Sequence, residues 1–145
     1  MRALVLAGLW LLTPVTAEAC RISRPFPPVE RARDADLVVV GRVSHYRWVE
    51  QPDNMFGGHA EFDIAVIEAV KGRAAATVHA TSRTRLFGPA NPWTQALLLI
   101  ALGAGGEQAS DQFFVLQDIC SGAFVTPAGS IYAKATRDAL AKGKK

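Results

Sequence analysis

The chain has 145 residues, of which 50% are hydrophobic and 20% charged, the balance of an ordinary globular domain with one core. That composition excludes a disordered polymer and a long coiled coil, and two cysteines are too few for a disulfide scaffold or an all-thiolate zinc site. The formal charge of +3 raises the question of a polyanionic partner, which the placement of the charges answers below.

Met1 and Arg2 open the chain, residues 3–12 (ALVLAGLWLL) form an unbroken apolar run, and Thr13, Pro14 and small residues follow. This is the layout of a secretory signal peptide. The run is about half the ~20 residues a bilayer-spanning helix requires, so no stable membrane span is expected. Ala17-Glu18-Ala19 offers small residues at the two positions a signal peptidase reads, which predicts cleavage before Cys20. Residues 1–19 are then a signal peptide and residues 20–145 a single secreted or periplasmic domain. Lipidation of Cys20 is the weaker reading, because Glu18 places a charge where a lipoprotein signal carries small residues.

Export puts the two cysteines in a compartment where disulfides persist. Two cysteines allow one pairing, so a Cys20–Cys120 bridge is the default, closing a loop of about 100 residues worth ~4–5 kcal/mol in the chain-entropy model. Two free thiols or a redox pair are the rival readings, and neither cysteine has the CxxC neighbour that a redox site favours.

Loss of residues 1–19 removes one Arg and one Glu, so the mature charge remains +3. Residues 134–145 hold Lys134, Arg137, Lys142, Lys144 and Lys145 against Asp138, a net +4, which leaves residues 20–133 at −1. The basic character is a C-terminal tail, and the body lacks the electrostatic footprint of a nucleic-acid binder.

In chain order, Pro25, Pro27 and Pro28 predict an extended lead-in and residues 30–35 a short helical turn. Residues 37–48 read as a strand, buried on both faces at its apolar start and alternating afterwards, with Gly41 marking a bulge. Residues 51–59 are loop, 61–68 an alternating strand, and 77–81 a third strand. The loop at 85–93 leads to a central apolar strand at 97–102, and the Gly-rich turn at 103–111 to a fifth strand at 113–116. Ser130 is placed to cap a last helix through Leu140, with Gly143 as its stop. Five short strands and little helix predict an all-β, five-stranded OB-fold barrel with a short C-terminal helix.

Four segments carry a family pattern: Ala35-Asp36-Leu37-Val38-Val39-Val40-Gly41-Arg42-Val43, residues 62–72 ending Val70-Lys71-Gly72, Leu97-Leu98-Leu99-Ile100-Ala101, and Cys120-Ser121-Gly122. With a mature chain starting at Cys, they resemble the TIMP-like domains, OB-fold modules typified by the tissue inhibitors of metalloproteinases and found in secreted bacterial proteins. In those inhibitors the α-amino group and carbonyl of the N-terminal Cys chelate the zinc of the protease. The resemblance implies that Cys20 would chelate and Arg21 would enter the specificity pocket, chemistry that an open zinc site accepts. The pattern departs at Ile22, where those inhibitors carry a second Cys, and in its small number of cysteines.

No other chemistry stands out, and no catalytic, metal or cofactor site is predicted. His45, His59 and His79 lack metal-ligand spacing. Glu61 and Asp63 share one strand face about 7 Å apart, a spacing open to a water-activating pair but ordinary for surface residues. Tyr46, Trp48, Phe56 and Trp93, near Arg42, Arg47, Arg83 and Arg85, read as core and rim packing rather than a base-stacking platform. The expectation is a secreted protein-binding module, with metalloprotease inhibition its sharpest form and no catalysis of its own. The alternatives are a periplasmic enzyme or an OB-type ligand-binding protein, and a deep cleft around the histidines would favour the enzyme.

Overall fold

The β-branched run that follows Asp36 builds strand β1, Leu37–Glu50, and the computed structural model describes residues 27–53, 57–84, 95–105, 112–117 and 122–143. After β1 come β2 (Gly58–Lys71), β3 (Thr77–Ser82), β4 (Leu98–Ala104), β5 (Gln112–Val115), the short β6 (Val125–Pro127) and helix α1 (Ile131–Lys142). A 3-10 turn, Val29–Arg33, precedes β1. Antiparallel pairs join β1 to β2, β2 to β3, β5 to β4 and β4 to β1, while β3 and β5 run parallel. The order β1-β2-β3-β5-β4 therefore closes on itself as a five-stranded mixed barrel, and β6 pairs with Leu98–Ile100 outside it. This is the expected all-β barrel with one short C-terminal helix.

Period-two alternation fills the barrel: Val39 and Val43, Phe62 and Ile64, Val78 and Ala80, Ile100 and Leu102 all face inward. The start of β1 is buried on both faces, as its continuous apolar sequence predicts. Val38 and Val40 face outward from the barrel but join a second cluster with Leu99, Ala101, Phe124, Ala133 and Leu140, under α1 and the 3-10 turn. Ser130 caps α1 by accepting from the Ala133 amide at 3.0 Å, and the Arg33 guanidinium donates to the carbonyl of Ala139 near its other end. The Tyr132 hydroxyl, its pKa pushed up to about 12 by burial and then by Glu30, donates to the Pro27 carbonyl.

Residues at the entry of β1 and the end of β2 have mechanical jobs here. The Asp36 carboxylate accepts from the Ala104 amide at 2.7 Å, tying the entry of β1 to the end of β4. Lys71 Nζ donates to the carbonyls of Arg33 and Ala35, and Gly72 turns with φ +79° beside the Asp36 carbonyl, which a Cβ would approach to 2.6 Å. The second strand starts earlier than its alternation suggests. Gly58 takes φ +147° with Val49 O in the way of any Cβ, and this glycine already pairs with Glu50. Strand β6 is too short to leave a periodic signal and exists through its pairing with β4.

Candidate functional site

Register places four polar side chains of adjacent strands in one row on the outer face of the barrel. Ser44 pairs with Asp63, Asp63 with His79, and His79 with Gln112. Between Ser44 and Arg47, β1 takes one residue more than its partner, a β-bulge in which His45 adopts φ 51°. A left-handed histidine in mid-strand is a strained conformation that glycine would adopt more easily. The bulge turns Tyr46 inward to stack on Phe62 at 6.4 Å and leaves His45 and Arg47 on the outer face.

Asp63 joins the imidazoles on either side of it. His45 Nδ1 lies 2.8 Å from Oδ2, and His79 Nδ1 contacts Oδ1. An ionised carboxylate only accepts, so each ring donates through Nδ1–H and turns its Nε2 edge away from Asp63. The next row repeats the arrangement: Arg47 Nε donates to Glu61 Oε2 at 2.8 Å, and His59 Nε2 donates to Oε1 at 3.1 Å. Hydrogen bonds from His45 and then His79 hold the Asp63 carboxyl below its ordinary value, and those from Arg47 and then His59 do the same for Glu61. Burial opposes the shift in both carboxylates and loses.

His45, Arg47, Glu61, Asp63 and His79 line a groove of about 360 Å³, with Thr81 and Gln112 also in its wall. The two carboxylates form its floor, while His45 and His79 stand 83% and 70% exposed at its rim. Among the described residues no three or more His, Cys, Asp or Glu side chains are arranged to hold a metal ion.

No protein-family model and no curated protein matches this chain. The assignment of a site therefore rests on this geometry. Cys20, Arg21 and Cys120, the residues expected to chelate, to enter a pocket and to close the disulfide, lie outside the described residues, as do residues 1–19, expected to be a signal peptide. No helix among the described residues is long and apolar enough to cross a membrane. Tyr46 and Trp48 pack against the barrel core, as expected of them.

Sequence spacing separated the three histidines and gave no reason to join them. The signal that could have found the site is cross-strand: with β2 and β3 antiparallel, Asp63 and His79 are both outward positions and can be opposed. The bulge that aims His45 has no signature in the residue types around it.

The depressed carboxylates set a pH dependence. A carboxyl whose folded pKa lies below its unfolded value stabilises the fold above the unfolded value and loses that contribution as pH falls through the folded one. For Glu61 and Asp63 the ordinary values are 4.5 and 3.8. The urea midpoint is expected to decline as pH falls below these values, and the Asp63→Asn, Glu61→Gln double variant to decline less steeply there. Equal slopes for the two proteins would show that this network contributes nothing to acid stability.

Proposed function

We propose that the chain is a secreted or periplasmic protein-binding module without catalysis of its own, whose sharpest activity is inhibition of a zinc metalloprotease through Cys20 and Arg21. The observation that supports a binding role is the openness of the polar face: the imidazoles best suited to acid–base chemistry stand mostly in water, whereas acid–base sites gain from excluding it. The TIMP-like resemblance supplies the inhibitory form of the reading, and the closed barrel is the scaffold that form requires. Pro27, the first described residue, is buried and accepts from the Tyr132 hydroxyl.

The test is mass spectrometry of the mature protein followed by titration against a panel of zinc metalloproteases. A mature chain with a free α-amino group on Cys20 is expected to inhibit at least one of them. One residue added before Cys20 is expected to weaken inhibition by more than about tenfold, the equivalent of ~1.4 kcal/mol. A blocked or displaced N-terminus, or full protease activity across the panel, overturns the inhibitory reading.

A further inference from the structure

The groove continues into an aromatic surface. Thr81 on its wall pairs with Phe114, and Phe114 with Gly103, so the row Arg47, Glu61, Thr81, Phe114, Gly103 crosses the five strands of the barrel on its outer face. Phe114 is 43% exposed, in contrast to its neighbour Phe113, which packs against the core. Its ring is held in place by the absence of a side chain beneath it: a Cβ on Gly103 would stand 2.5 Å from the Phe114 Cζ. A glycine that receives an aromatic ring from the paired strand fixes that ring on the sheet. The result is one supported aromatic surface beside a row of planar polar side chains.

The polar side chains are also braced. His45 and His79 are each fixed by Asp63, and Arg47 by Glu61, so each offers its remaining edge in a set direction. Sugar hydroxyls donate once and accept twice, and fixed planar side chains that alternate donors and acceptors meet that requirement. The electron-rich face of an aromatic ring attracts the C–H face of a pyranose. Charge narrows the class further. Two carboxylates stand against one guanidinium in this groove, so its floor repels phosphodiesters and sulfated or uronic polymers rather than attracting them.

The geometry points to a site for a neutral oligosaccharide on the outer face of β1, β2, β3 and β5, one sugar ring stacking on Phe114 and the next bonding to the groove around Asp63. The site must take more than a single sugar, because Phe114 and Asp63 lie on different cross-strand rows, with β3 between their strands. It is independent of inhibition at Cys20, and either activity can fail without the other. An open face of this kind binds weakly, since little of the ligand is enclosed.

The experiment is isothermal titration calorimetry of the mature full chain with cellotetraose, chitotetraose and maltotetraose, and with an oligothymidylate as the polyanionic control. At least one of the sugars is expected to bind and the oligothymidylate not to. Phe114→Ala is expected to weaken binding about tenfold and Phe114→Tyr to keep it within about twofold. Asp63→Asn, which unbraces both imidazoles, and Gly103→Ala, which displaces the ring without touching the groove, are expected to weaken it as well. Circular dichroism checks the fold of each variant; should Phe114→Ala unfold, Asp63→Asn and Gly103→Ala carry the test. No heat with any of the sugars, equal binding of the oligothymidylate, or sugar binding unchanged in the folded variants overturns the proposal.

Discussion

Phe124→Ala is expected to destabilise the protein by about 3–5 kcal/mol and to lower its melting temperature by about 15 °C. Phe124 is fully buried between the outer face of β4 and the helix, with its ring centroid 5.5 Å from that of Tyr132. Its backbone donates to Leu116 O at 2.7 Å and accepts from the Ala101 amide at 3.1 Å, so the backbone around the site cannot readily collapse into the space left by the ring. The loss falls on the second cluster, which holds α1 and the 3-10 turn against the barrel. Urea and thermal unfolding followed by circular dichroism measure it. Ile131→Ala, at an 89% exposed position of the same helix, is the control and should shift stability by less than about 0.5 kcal/mol. A Phe124→Ala protein as stable as the parent would mean that the helix and barrel do not form one cooperative unit.

Gly41→Ala is expected to cost about 3 kcal/mol, the upper end of overpacking penalties. Its backbone conformation is ordinary, so the cost is one of space. The β1–β2 register slips by one residue between Val40 and Gly41, where Val40 faces Glu68 and Gly41 faces Val66. The extra residue, Ile67, is pushed outward to 61% exposure, and the strands close up beside it. A Cβ on Gly41 would meet Ala65 O at 2.5 Å and Ile64 Cγ2 at 2.6 Å, and the first of these is backbone inside a sheet. Gly57→Ala is the informative comparison: with φ +70° and nothing within 4 Å, it carries only the conformational penalty of about 1 kcal/mol. Reversal of that order in unfolding experiments would contradict the packing argument.

Gly41 also marks how far residue types can be read. A glycine inside a β-branched run predicts a bulge, and the irregularity is there, but the extra residue belongs to β2. Which strand carries it depends on how two separate segments align, and neither segment contains that information alone. His45 shows the opposite limit. Nothing around it suggests a left-handed histidine, and its conformation exists because the register of β1 against β2 changes between Ser44 and Arg47. The carboxylates Glu61 and Asp63 read as surface residues, and each is only partly exposed because basic side chains from flanking positions converge on it.

Residue types and their period account for the elements of this fold. Alternation set which side chains of β2 and β3 face inward, the apolar run set that β4 is central, Ser130 set where the helix begins, and the placement of lysines confined the basic charge to the end of the chain. Those are local properties, written in residue types and their period. Residue types leave open that β3 lies parallel to β5, that Phe114 rests on Gly103, and that His45 and His79 share one carboxylate. Each of these depends on strand order and register, which the closure of the whole barrel sets and no single segment encodes.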